Sequence, residues 1–168
     1  KPRHTLGQRA QPYLVGGSIH DHATARRIDA FRQTVSETGA TVDDDHIIQC
    51  GYAPRQAAEA ISQLCHRIGG LPTCLFVNSL TVFEGVMSYF ATLPATAFSE
   101  SAIGCFDYDP FAAFLHFPVY MVRQDTHQMI AKAYELLDAS VFDAVVHEIE
   151  PELIEPRTIT IRNLGELG

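Results

Sequence analysis

The stretch Cys74-Leu75-Phe76-Val77-Asn78-Ser79 decides the fold class. Its first residues form a short, all-apolar run of the kind found in a central parallel strand. Ser79 is placed to cap a helix that carries Val82, Val86, Phe90 and Leu93 at helical spacing. Upstream, Tyr13-Leu14-Val15 ends in Gly16-Gly17 and is followed by Ile28, Phe31 and Val35 on one face of a helix that stops at Gly39. A strand over His46 to Cys50 then leads to Pro54, which suits the first turn of a helix with Ala58, Ile61, Leu64, Cys65 and Ile68 inward. Downstream, Ala102 to Phe106 reads as a strand, Asp109-Pro110 starts a short helix through Leu115, and Val119 to Val122 is extended. Asp125 and Gln128 form a capping-box variant ahead of a helix with Met129, Ile130, Ala133, Leu136 and Leu137 inward. Val145 to Ile149 and Thr158 to Ile161 read as edge strands in a segment rich in Glu and Pro. Strands alternating with helices make the class α/β, a parallel sheet flanked by helices.

The bulk of the chain narrows its functions. With 168 residues, 46% of them hydrophobic, it can bury one full core and is short for two domains. A net charge of −8 and the absence of any Lys/Arg cluster argue against nucleic-acid binding by this segment itself. No apolar run approaches the roughly 20 residues of a membrane helix, so no membrane partner is expected. Lys1-Pro2-Arg3-His4 is not followed by a secretory signal, and there is no initiator Met, as expected of an internal part of a longer protein. Cys50, Cys65, Cys74 and Cys105 lie in apolar segments without a C-x-x-C pair, which reads as buried, reduced thiols of a cytoplasmic protein.

In an open parallel sheet, ligands bind beyond the carboxyl ends of the strands. The residues there are Ser18 and the loop to Arg27, then Asn78 and Ser79, Asp107 to Asp109, and Arg123 to Asp125. Arginine offers a planar fork of donors while Asn, Gln and Asp read hydroxyls, so the set suits a hydroxylated ligand, with or without phosphate. Each member also has an ordinary use: Arg26 and Arg27 as solvated helix residues, Asp107 and Asp109 as turn formers or caps, Gln124 as a loop residue. His20-Asp21-His22 is a competing feature, an H-x-H pair of the kind used by metal-dependent hydrolases. No second cluster with ligand spacing accompanies it, so no metal or other cofactor is expected. There is no G-x-S-x-G turn and no glycine-rich phosphate loop.

Taken in order, these segments resemble the regulatory domain of the lac/galactose repressor family, of periplasmic-binding-protein-like type I fold. The resemblance is carried by Tyr13-Leu14-Val15-Gly16-Gly17 with Arg27-Ile28-Asp29-Ala30-Phe31, where Ala30 replaces the usual Gly. It continues through Leu75-Phe76-Val77-Asn78-Ser79 to Gly85-Val86-Met87, with Ser79 in place of the usual Asp, and through Ala102 to Asp107 with Pro110. Phe117-Pro118-Val119 to Val122-Arg123-Gln124 is similar to the family's crossover, and Glu152-Leu153-Ile154 with Arg157 to its closing segment. Asn78 to Met87 and Phe114 to Val119 look most like the fructose repressor, or catabolite repressor/activator, branch, from which Phe106-Asp107-Tyr108-Asp109 departs.

The resemblance implies a ligand-sensing domain of a bacterial transcriptional regulator, not an enzyme, binding a sugar or sugar phosphate such as a fructose phosphate. Residues 1–168 would be part of that domain, with the helix-turn-helix head and most of the N-terminal lobe lying outside this chain. Residues 12–118 and 145–161 would form the C-terminal lobe, and 119–140 a crossover strand and helix toward the other lobe. Arg27 and Gln124 become ligand residues, with Ser18, Asp107, Asp109, Asn78 and Ser79 as further candidates. The whole protein would touch DNA through its head and pair as a homodimer or tetramer, with the helices of Ile61 and Val86 as candidate interfaces. The alternatives are a sugar-binding protein for transport or chemoreception and, third, a metal-dependent hydrolase using His20 and His22.

Overall fold

Period-2 alternation within each strand divides the core into two layers. A computed structural model describes residues 11–139 and 146–156. Its elements are β1 (Pro12–Val15), α1 (His22–Glu37), β2 (Ile47–Ile48), α2 (Pro54–Ile68), β3 (Cys74–Val77), α3 (Leu80–Phe90), β4 (Ala102–Phe106), β5 (Val119–Arg123), α4 (Thr126–Asp138) and β6 (Glu152–Ile154). They build one six-stranded sheet in the order β2-β1-β3-β4-β5-β6. The strands from β2 to β5 are parallel, and β6 runs antiparallel to β5.

One face of the sheet carries Tyr13, Val15, Leu75, Val77, Ile103, Cys105, Val119 and Met121, packed under α2 and α3. The other carries Leu14 and Phe76, which meet Ile28 of α1 and Ile47. The two helices over the larger layer approach closely at Gly85, where a Cβ would lie 2.0 Å from the Pro54 carbonyl oxygen. Only glycine permits that backbone contact. Ile61, Leu64, Val82, Val86 and Phe90 are all buried in this layer, so these apolar residues of α2 and α3 serve the domain's own core.

Several expectations need correction. β2 is only Ile47–Ile48, because His46 is held in a 3-10 turn by reciprocal bonds with Asp43. Leu93 lies beyond the end of α3. Cys65 and Cys105 are buried, but Cys74, at the start of its strand, is exposed. Val119 to Arg123 is a full member of the sheet, so the chain leaves it only after Arg123. α4 does form behind its Asp125 cap, which accepts from the Gln128 N–H at 2.8 Å. Its apolar residues are not inward, however: Ile130 is 59% exposed, Tyr134 65% and Leu137 62%. Residues 146–149 are not a strand; the last strand is Glu152–Ile154 instead. Val145, Arg157 and Thr158 to Ile161 lie outside the described residues.

Candidate functional site

Parallel strands deliver their carboxyl ends to one edge of the sheet, and there the loops after β1, β3, β4 and β5 converge. Arg27 reaches across from α1 and donates from Nη1 to the backbone carbonyl of Asn78 at 2.7 Å, although the two are 51 positions apart in the chain. Its guanidinium sits over Phe106, with Cζ 3.6 Å from the ring centroid. That is a cation–π contact which holds the fork of donors without neutralising it. Asp107, next in the chain, adopts a left-handed backbone with φ 78°. Its carboxylate accepts from Gln124 Nε2 at 2.7 Å and from the Leu80 N–H at 3.4 Å, which ties together the ends of β3, β4 and β5.

Asn78 is completely buried. Its Nδ2 donates to Thr24 Oγ1 at 3.1 Å, while Oδ1 has no hydrogen-bond partner. The Thr24 hydroxyl lies 2.8 Å from Asp21 Oδ2 and 2.7 Å from the Tyr52 hydroxyl, and Tyr52 in turn donates to Asp21. Asp21 also caps α1 through the Ala23 and Thr24 N–H groups. Hydrogen bonds from Tyr52, then Thr24, hold the Asp21 carboxyl down at about 2. Gly17 roofs this cluster with φ 71°. A Cβ there would sit 2.4 Å from Thr24 Oγ1 and 2.5 Å from Asn78 Nδ2.

The remaining candidates are placed differently. The Ser79 hydroxyl, buried, caps α3 by accepting from the Val82 N–H. Asp109 caps the 3-10 turn Pro110–Phe114 through the Phe111 N–H at 2.9 Å. Ser18, half-buried on the β1–α1 loop, accepts from the His20 N–H at 3.4 Å. The structure thus brings Arg27, Asn78, Asp107 and Gln124 into one connected cluster and uses Ser79 and Asp109 as caps. His20 and His22 are exposed. Among the described residues, no group of three or more His, Cys, Asp or Glu side chains is gathered to hold a metal.

Sequence reading missed Phe106 as the platform under Arg27 and Asp21, Thr24 and Tyr52 as the support of Asn78. An aromatic residue directly before the strand-end Asp107 was the available signal for the first. None marked the second, because Asp21 and Thr24 at the start of α1 meet Tyr52 and Asn78 from loops far away in the chain. Arg26 pairs with Glu148 at 3.2 Å. Next to the cluster, an open cleft of about 680 Å³ is lined by Arg26, Phe106, Gln124, Asp125, Met129 and residues 147–151. Burial pushes the Cys105 thiol up; the Asp107 charge adds to the shift and Arg27 opposes it. That thiol is therefore not a nucleophile at neutral pH.

No protein-family model matches the sequence, and no curated protein matches it. Solved structures do. The Cra transcriptional dual regulator from Pseudomonas putida, in complex with fructose 1-phosphate, is 20% identical over 87% of this chain and 54% of its own, at a TM-score of 0.74. A putative ribose operon repressor from Burkholderia thailandensis is 22% identical over 86% of this chain and 54% of its own, at 0.69. The transcription regulator CcpA of Lactococcus lactis is 18% identical over 88% of this chain and 55% of its own, at 0.68. The chain has the fold of a LacI-family regulatory domain. It spans about half the length of the LacI-type structures it matches. Among the described residues, no helix is long and apolar enough to cross a membrane.

Proposed function

We propose that this chain is the effector-sensing half of a bacterial DNA-binding transcription regulator, and that a sugar or sugar phosphate binds at the carboxyl edge of its sheet. The observation that carries this reading is Arg27. It is stacked on Phe106, tethered at one nitrogen to the Asn78 carbonyl, and bonded to no carboxylate among the described residues. A guanidinium so held is oriented to receive an anionic or polyhydroxylated ligand, while Asp107 and Gln124 supply acceptor and donor beside it. The fructose 1-phosphate complex of a structural neighbour supports that ligand class. Ser18 is a secondary contact. Ser79 and Asp109 shape the edge as caps.

The exposed apolar side chains of α4 support the two-lobe arrangement. Met129, Ile130, Tyr134 and Leu137 stand in solvent here and are suited to pack against a second lobe, so that the segment from Gln124 through α4 leads from one lobe toward the other. Effector enclosed between the lobes would favour one lobe arrangement and alter operator affinity by its differential affinity for the two states. The full-length protein is then a cytoplasmic homodimer or tetramer, acts on DNA through a head domain, and performs no catalysis.

Calorimetric titration of the full-length protein with fructose 1-phosphate and a panel of sugars and sugar phosphates, paired with operator binding, tests this. We expect saturable binding that changes operator affinity. Binding with no effect on any DNA would indicate transport or chemoreception, and no binding across the panel would refute the reading.

A further inference from the structure

Asn78 is the one candidate whose side chain is wholly buried, and its hydrogen bonding is ordered by residues outside the ligand set. The Asp21 carboxyl, held down at about 2, is ionised at neutral pH and can only accept. The Tyr52 and Thr24 hydroxyls both meet its Oδ2 and lie 2.7 Å from each other, so their two protons serve these three contacts and the Thr24 proton goes to Asp21 or to Tyr52. The Thr24 oxygen then has lone pairs but no proton to offer Asn78. The amide must turn its NH2 group toward Thr24, which the 3.1 Å contact satisfies, and Oδ1 is left as a buried acceptor without a partner. Gly17 lies against this NH2 group, where a Cβ would come within 2.5 Å of Nδ2. The backbone carbonyl of the same residue receives Arg27.

We infer that Asp21, Thr24 and Tyr52 are positioning residues. They fix the Asn78 amide with its donor inward and its acceptor free, and through Asn78 they hold the tether of Arg27. Tyr52 comes from the loop between β2 and α2, so a loop outside the candidate ligand set takes part in setting the polarity of the site. Their effect on effector binding, through the Arg27 tether, rests on the effector reading above; the orientation of the amide does not.

Two arms keep them distinguishable. In the full-length protein without ligand, labelled with 15N-asparagine, the side-chain NH2 protons of Asn78 should be protected from exchange, Thr24→Val should abolish that protection and Tyr52→Phe should reduce it. In titration with fructose 1-phosphate, Thr24→Val should weaken binding about tenfold and Tyr52→Phe about fivefold, while Thr24→Ser stays near wild type, as expected for loss or retention of one buried hydrogen bond. Tyr52 is partly exposed, so its Phe variant tests the relay without threatening the fold. Free exchange of the Asn78 NH2 protons in the wild type, or unchanged protection in both variants, overturns the relay. So does wild-type affinity in folded Thr24→Val and Tyr52→Phe. If the wild type binds no sugar phosphate, the effector reading falls and the exchange arm alone decides the relay.

Discussion

The carboxyl edge of β1, β3 and β4 and the helix α4 are built from equally regular sequence, yet they end in opposite states. At the edge, charged and polar side chains are held by partners: Arg27 by Asn78 and Phe106, Asp107 by Gln124, Asp21 by Tyr52 and Thr24. On α4, a well-formed amphipathic helix leaves its apolar residues in solvent. Periodicity tells a helix which side is apolar; it does not supply the surface that covers that side. The edge is therefore the finished part of a site and α4 an unfinished one.

The largest expected effect separates the two as packing environments. Ile61→Ala, at a fully buried position of α2, should cost about 2 to 5 kcal/mol in urea denaturation of the full-length protein. Ile130→Ala should cost under about 0.5 kcal/mol if the α4 face stays in solvent. A cost comparable to that at Ile61 would mean that a second lobe covers it, as proposed.

Next comes Arg27→Lys, which keeps the charge but loses the planar fork over Phe106. Effector affinity should fall by about 1.5 to 3 kcal/mol in calorimetry, and an unchanged affinity would remove Arg27 from the site. Gly17→Ala forces a side chain into a left-handed backbone, at about 1 to 2 kcal/mol, and against Thr24 and Asn78. Thermal melting should register that cost, and binding should weaken with it.

Gln124→Ala releases Asp107 and should reduce effector affinity by about 1 kcal/mol. If titration and operator release both match wild type, Gln124 is an ordinary linker residue. The smallest effect is at Arg26, whose ion pair with Glu148 is exposed. Arg26→Ala should change stability by about 0.2 to 1 kcal/mol and leave effector affinity alone. Equal affinity losses at Arg26 and Arg27 would contradict the distinction drawn between them. The pH dependence points the same way. The Asp21 carboxyl is depressed from 3.8 to about 2, so its contribution to stability is fully present above its unfolded value and lost as pH falls toward 2. A relay that loosened between pH 5 and 8 would have another cause.

Much of this protein was legible along the chain. Apolar runs such as Leu75-Phe76-Val77, the caps Ser79, Asp109 and Asp125, and Pro54 at a helix start are local signals, and each appears in the structure where its spacing places it. Arg27 and Gln124 stand among the strand-end residues that share one edge of a parallel sheet, and the family resemblance singled them out. Their partners could not be read this way. Tyr52 meets Asp21 across 31 positions, and Asn78 meets Thr24 across 54, because β1 lies between β2 and β3 in the sheet. That order is a property of packing, set by which faces bury together, and no local pattern encodes it. The same holds for α4. Its apolar stripe is written in the residues, but whether the stripe is core or surface depends on what lies against it.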